Sequence, residues 1–144
     1  MHQSIQIIGN LGKKPEMRYT PTGKAVTSFS VATSRKYPAA DGSIVSETTW
    51  FRITTWSKTA EACNQYLDKG SKVFIEGRLV PDAQTGGPKI YKKQDGSAGA
   101  SFEVTANLVR FLSSKGEGAP VQAGASVAEI EGAGEPIPED DIPF

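Results

Sequence analysis

The stretch TTWFRITTW, residues 48–56, decides the fold because its pattern predicts a β-strand with two different faces. Thr, Ile, Phe and Trp suit a pleated surface, and successive side chains of a strand point to opposite sides. Phe51 and Ile53 therefore share a core face, which predicts that both are buried. Trp50, Arg52 and Trp56 share the other face, where an unpaired charge between two large rings is unusual for a protein core.

Two interpretations of this second face remain open from the nine residues alone. In the first, the two tryptophans pack under a loop or at a subunit contact while Arg52 extends to water. In the second, the rings form an exposed platform on which nucleobases stack, each base contributing about 1–3 kcal/mol, while a nearby cation holds the phosphate.

The length and composition of the chain favour one domain with an appendage. Its 144 residues are 38% hydrophobic, which suffices for one modest core. The sequence contains no apolar run long enough for a membrane span and no secretory signal at its start. Cys63, the single cysteine, cannot form an internal disulfide. We therefore expect a cytoplasmic protein without a membrane partner.

Charge divides the chain into two parts at residue 115. Residues 1–115 hold all 16 Lys and Arg against nine acids, a net charge of +7, whereas residues 116–144 hold seven acids and no cation, a net charge of −7. A basic domain indicates a polyanionic partner. The Gly-, Ala- and Pro-rich acidic part has no periodic apolar face and is expected to be disordered.

About five strands and one helix are predicted within the basic part. Strand patterns occur at SIQIIGN, on both sides of a turn at Pro21–Gly23, at the opening stretch, at SKVFIEGRL and at SFEVTANLVRFL. The segment KTAEACNQYLDK predicts a helix capped by Ser57 and ended by Gly70, with Cys63 as a core thiol. This order is that of the all-β OB-fold, a five-stranded barrel with one helix between strands three and four.

Two further tyrosines lie in the longest predicted loops, beside basic residues. Tyr37 follows Arg35 and Lys36, and Tyr91 lies among lysines that include Lys89. Exposed rings interleaved with cations favour single-stranded nucleic acid over a sugar ligand. Each tyrosine could equally cover its own loop as a hydrophobic lid.

Three longer motifs carry a resemblance to the bacterial-type single-stranded DNA-binding protein family over residues 4–112. They are IIGNLGKKPEMRYTPTGKAVTSFSVATS, TTWFRITTWSKTAE and YLDKGSKVFIEGRL. The resemblance implies a non-enzymatic, nucleoid-associated protein that coats DNA in replication, recombination and repair. It also implies a homotetramer. The alternative is an OB-fold RNA-binding protein or a replication-restart accessory protein.

The resemblance also assigns roles to individual residues. Base stacking is expected of Trp50, Trp56, Tyr37 and Tyr91. Phosphate contacts are expected of Arg52, Lys58 and Lys69, and also of Lys36 and Lys89 beside the two tyrosines. The chain departs from the family at Tyr37 and Tyr91, where better-known members carry tryptophan, and at Phe51, which replaces a common polar residue.

The C-terminus carries the second part of the resemblance. We expect a DNA-binding and oligomerisation domain at residues 1–115, a flexible linker at 116–134 and a protein-interaction tip at 135–144. The family uses the terminal sequence DDIPF to bind helicases, nucleases, recombination mediators and polymerase subunits. The residues implied in this role are Asp140, Asp141, Ile142, Pro143 and Phe144.

An enzyme is the main rival class of function. His2 is the only histidine, so general acid–base catalysis by histidine or a zinc site has almost no available ligand. Asp140 and Asp141 lack the fixed geometry that metal-assisted cleavage requires if their segment is disordered. We therefore expect no enzymatic activity, no cofactor and no metal.

Overall fold

The structure is a computed structural model that describes residues 1–113. The predicted linker at 116–134 and the predicted tip at 135–144 lie outside the described residues. In chain order the elements are β1 (Ile5–Leu11), β2 (Glu16–Tyr19), β3 (Ala25–Pro38), β4 (Ile44–Trp56), α1 (Ser57–Tyr66), β5 (Lys72–Val80), β6 (Lys89–Lys92) and β7 (Ala98–Phe111).

Five of these strands close a barrel in the order β1, β5, β7, β4, β3 and back to β1. The β4–β7 pair is parallel, and the other four pairs of the barrel are antiparallel. Helix α1 connects β4 to β5, the third and fourth strands of the barrel. The predicted OB-fold is therefore confirmed, with β2 and β6 as two short additional strands that pair with β3 and β7.

Alternating apolar side chains from the five barrel strands fill the interior. Ile53, at the centre of the opening stretch, is fully buried, as predicted. Phe51 on the same face was predicted to be buried but is only half-buried, because it lies in the first β4–β7 pair and its ring packs on that of Phe102, which is itself 48% exposed, at a centroid distance of 6.0 Å. The central core residues are Phe29, Val31, Ile53, Ile75 and Val104.

Helix α1 packs against the barrel through Ala60 and Cys63, both fully buried. The Thr27 hydroxyl of β3 donates a 2.7 Å hydrogen bond to the Ala60 carbonyl and so ties the helix to the barrel wall. Cys63 belongs to the core cluster, as predicted, and burial raises the pKa of its thiol to about 11. This helix is too short to cross a lipid bilayer, and it is the only one among residues 1–113.

The predicted boundaries of the helix were wrong at both ends. Trp56, rather than Ser57, occupies the N-cap position, and no side-chain hydrogen bond caps the helix. Ser57 instead takes a positive φ of 54°, because β4 runs into the helix without a loop and one residue must make the turn. The helix ends at Tyr66. Gly70 does adopt a left-handed φ of 84°, but in the separate turn that leads into β5.

Two predicted loops are instead extensions of the barrel strands. β3 and β4 continue beyond the barrel as a two-stranded ribbon up to the Pro38–Ile44 pair, and the glycine-rich segment 80–100 contains the hairpin of β6 with β7. A protruding two-stranded ribbon satisfies its backbone hydrogen bonds across its own ladder. Neither of its faces has to be buried in the core, so its side chains can be polar. Tyr37 and Tyr91 therefore lie on paired strands.

Candidate nucleic-acid interface

An open groove of about 460 Å³ lies on the outside of the barrel, between β4 and the β6–β7 hairpin. β4 supplies Trp50 and Arg52, and β6 supplies Lys89 and Tyr91. The two walls meet because β7 pairs with β4 through its middle, at Arg52–Glu103, and with β6 through its first residues. The barrel topology thus brings together four of the side chains singled out from the sequence.

The aromatic rings of this groove are open to solvent. Trp50 is 52% exposed and Tyr91 is 51% exposed. Trp50 lies against Gly12 in the turn that follows β1, and Tyr91 lies across from its ladder partner Gly99. Each ring therefore contacts the protein and still leaves about half of its residue's surface open, where a base can stack.

The charges of the groove are arranged as two internal ion pairs and one unpaired cation. Lys13 contacts Glu16 and Lys89 contacts Glu103, each at 2.8 Å. A hydrogen bond from Lys13, the charge of Lys13 and the charge of Arg52 lower the pKa of Glu16 below its ordinary value. Among residues 1–113, Arg52 takes part in no ion pair, so its charge is available to an anionic ligand.

Three of the predicted site residues lie outside the groove, Trp56 and Lys58 at the helical end of β4 and Lys69 in the turn after α1. Trp56 is 44% exposed and shares the strand face of Trp50, but it lies six residues further along β4, about 20 Å at the usual rise per residue. Lys58 is exposed in the first turn of α1, and Lys69 is exposed in the turn after it. These residues extend the basic and aromatic surface along the barrel.

Tyr37 and Lys36 lie on the β3–β4 ribbon, away from the groove. The uninterrupted ladder pairs Tyr37 with Val45 and Ala32 with Trp50, which places Tyr37 on the opposite face of the ribbon from Trp50. The Tyr37 hydroxyl donates to Glu47 at 2.8 Å, and this bond raises the pKa of the tyrosine. The Arg35 guanidinium lies 4.8 Å from the centre of the Tyr37 ring.

Sequence reasoning missed four charged or apolar residues that line the groove: Lys13, Glu16, Ile90 and Glu103. The two lysine–glutamate pairs involve partners that no local pattern singles out, and Glu103 reaches the groove only through the pairing of β7. Lys13 had a usable signal, because it lies within the first of the three motifs that carry the resemblance. Among residues 1–113, no cluster of three or more His, Cys, Asp or Glu side chains could hold a metal ion.

Comparison with known proteins identifies the family. Residues 2–112 match the single-strand binding protein family. The chain belongs to this family. This is a family of binding proteins and not of enzymes, as expected from the sequence.

Relatives in the single-strand binding protein family come from several bacteria. A single-stranded DNA-binding protein of Neisseria meningitidis serogroup A is 39% identical over 83% of this chain and 67% of its own length. The single-stranded DNA-binding protein 1 of Chlorobaculum tepidum is 31% identical and aligns over 97% of this chain and 96% of its own length.

A solved structure shares the fold of this family member. The crystal structure of a deletion mutant of the single-stranded DNA-binding protein from Thermus aquaticus superposes with a TM-score of 0.59 and 26% identity. The match covers 81% of this chain and 52% of that chain, so this chain spans about half the length of the Thermus aquaticus protein.

Proposed function

We propose that this protein binds single-stranded DNA with little sequence preference, through the groove between β4 and the β6–β7 hairpin. The observation that carries the proposal is the convergence of two half-exposed rings, Trp50 and Tyr91, with the unpaired cation Arg52 in that groove. Every base has a flat face that can stack on a ring, and a guanidinium can pair with a phosphate of any nucleotide. The family and its named relatives support the same ligand.

The bound strand follows the exposed face of the barrel beyond the groove. Trp50 and Tyr91 stack bases within the groove, and Trp56 stacks a further base near the start of α1. Tyr37 stacks a base on the ribbon once its contacts with Arg35 and Glu47 yield to DNA. Phosphate contacts fall to Arg52 and to Lys36, Lys58, Lys69 and Lys89.

A homotetramer is the assembly that we propose, with residues 1–115 as the DNA-binding and oligomerisation domain. The outer face of β1, β5 and β7 supports it, because Ile8 is 56% exposed there and pairs across the ladder with Phe74. β1 pairs with β3 only at Asn10 and Leu11, so the edge of residues 5–8 is free within the described chain to pair with a second copy. Light scattering coupled to gel filtration tests this assembly.

In the cell, the protein coats and protects single-stranded DNA during replication, recombination and repair, in the cytoplasm at the nucleoid. Residues 116–134 serve as a linker and residues 135–144 as the site for partner proteins. The terminal acids and the apolar Phe144 suit a pocket with a basic rim and an apolar floor, and we expect such a pocket on a helicase, nuclease, recombination mediator or polymerase subunit.

The first test is a titration of tryptophan emission with oligo(dT), using duplex DNA and oligo(U) as controls at 50 mM and 200 mM salt. We expect strong quenching by oligo(dT) that weakens with salt, since a cation that contacts single-stranded DNA contributes about −0.7 to the slope of log affinity against log salt. Quenching by oligo(U) of equal strength would favour an RNA-binding module. An unchanged emission at both salt concentrations would contradict the proposal.

Two single-tryptophan variants assign the signal to its ring. Trp56→Phe leaves Trp50 as the only tryptophan, and Trp50→Phe leaves Trp56. Because Trp50 lies in the groove, we expect the Trp56→Phe variant to retain strong quenching. If only the Trp56→Phe variant loses quenching, we would infer that the strand binds at the helical end of β4 and not in the groove.

A further inference from the structure

Two glycines lie directly under the two groove rings. A Cβ built on Gly12 would lie 2.5 Å from Cζ3 and 2.8 Å from Cη2 of Trp50, the outer carbons of the indole. A Cβ on Gly99 would lie 2.7 Å from Cζ and 2.9 Å from Cε2 of Tyr91. Contacts this close do not occur for real Cβ atoms, so any larger residue at either position requires a displacement.

The ring, rather than the glycine, is the part that would move. The Gly12 amide donates a 3.0 Å hydrogen bond to the Ser30 carbonyl, and the preceding Leu11 is buried in the core. Gly99 lies within the β6–β7 ladder, opposite Tyr91. The affected atoms of Trp50 and Tyr91 are the far ends of half-exposed side chains, which can rotate at little cost.

Backbone conformation does not explain these two glycines. Gly23, Gly42, Gly70, Gly86 and Gly96 adopt left-handed φ values that favour glycine, whereas Gly12 and Gly99 do not. An alanine at position 12 or 99 is therefore compatible with the local backbone. The space taken by the ring is the feature that requires glycine.

We propose that Gly12 and Gly99 are positioning residues of the binding groove, which set where the Trp50 and Tyr91 rings lie relative to Arg52. This inference rests on the proposed binding of single-stranded DNA. A Cβ at either glycine would displace the ring above it and change the distance between that ring and Arg52. A base stacked on the displaced ring would then no longer place its phosphate within reach of the Arg52 guanidinium. The groove thus depends on two residues that contribute no side chain to it.

The test uses Gly12→Ala and Gly99→Ala in the full chain, with Gly87→Ala as the matched control. Gly87 also lies outside the left-handed region, and its built Cβ meets only the Thr85 hydroxyl at 3.7 Å, an ordinary contact. Loss of one stacked base weakens binding about fivefold or more, so we expect at least this loss of oligo(dT) affinity from each ring-side alanine. Gly87→Ala is expected to bind as the unmodified protein does.

A double-mutant cycle separates ring positioning from a general loss of structure. Phenylalanine at position 50 lacks the distal indole carbons, so adding Gly12→Ala to Trp50→Phe is expected to change affinity by less than about twofold. Acrylamide quenching in the Trp56→Phe background reports the exposure of Trp50 without any DNA. We expect Gly12→Ala to increase that quenching.

The outcomes distinguish this inference from the proposed function. If the unmodified protein binds no oligo(dT), the proposed function fails, and unchanged acrylamide quenching in Gly12→Ala would overturn the positioning of Trp50 as well. If the protein binds and Trp50→Ala weakens binding while both ring-side alanines bind normally, the positioning role alone is wrong. Should Gly12→Ala fail to fold, Gly99→Ala and its cycle with Tyr91→Ala decide the question.

Discussion

Replacing Glu103 by glutamine is expected to strengthen the binding of single-stranded DNA. The Glu103 carboxylate lies in the groove and contacts Lys89 at 2.8 Å. It therefore competes with a phosphate for a cation that the proposed function assigns to the DNA backbone. Glutamine keeps the size of the side chain and removes the negative charge.

The size of the effect follows from the release of counterions. If Lys89 becomes free to contact one more phosphate, the slope of log affinity against log salt steepens by about 0.7. Between 50 and 200 mM salt, the variant then loses about 2.6 times more affinity than the unmodified protein does. At 50 mM salt it binds more tightly. The cost to folding is small, at most about 1 kcal/mol, because the ion pair is partly exposed.

The assay is a salt series of oligo(dT) titrations, with Glu61→Gln as the matched control. Glu61 is exposed on α1, outside the groove, and its replacement changes the net charge by the same amount. Adding Lys89→Gln to Glu103→Gln is expected to abolish the steeper slope. A slope equal to that of the control, or weaker binding at 50 mM salt, would refute the reasoning that Glu103 opposes DNA.

Three further predictions concern the helix anchor, the buried thiol and the ribbon. Thr27→Val removes the hydroxyl that binds the Ala60 carbonyl, so we expect a loss of about 0.5–1.5 kcal/mol in a urea melt with unchanged DNA affinity. Burial raises the pKa of the Cys63 thiol from 9.0 to about 11. The stability contributed by the neutral, buried thiol is therefore fully present below pH 9 and is lost as the pH rises to about 11. Cys63→Ala should lack this loss in melts across that range. Glu47→Gln replaces the charged acceptor that raises the pKa of Tyr37 with a neutral and weaker one, so tyrosinate absorbance should appear at lower pH, and an identical titration curve would contradict this effect.

Much of the fold was predictable because alternation along the strands reports the core directly. The assignment of Ile53 to the core followed from period two alone, and its full burial confirms it. Period two placed Trp50 and Trp56 together on the other face, but their exposure was expected only with the rest of the chain, and both are about half exposed. The helix boundaries were not predictable. Serine is a common N-cap residue, but here β4 and α1 are continuous, so Ser57 makes the turn and Trp56 takes the cap.

The candidate site was predictable where one strand carries it and not where tertiary pairing builds it. Trp50 and Arg52 share a strand face, so their proximity follows from spacing. Glu103 enters the groove only because β7 pairs with β4, and the sequence holds no local sign of this pairing. The side of the ribbon on which Tyr37 lies was not predictable either, because it depends on how far the β3–β4 ladder continues beyond the barrel.

The parallel pairing of β4 with β7 has a consequence for synthesis on the ribosome. Arg52 on β4 leaves the ribosome well before β7, yet the β6 wall that carries Tyr91 is joined to β4 only through β7. A nascent chain that ends before β7 therefore has neither a closed barrel nor an assembled groove. We therefore expect the protein to acquire its affinity for a nucleic acid only after β7, the last strand among residues 1–113, is in place.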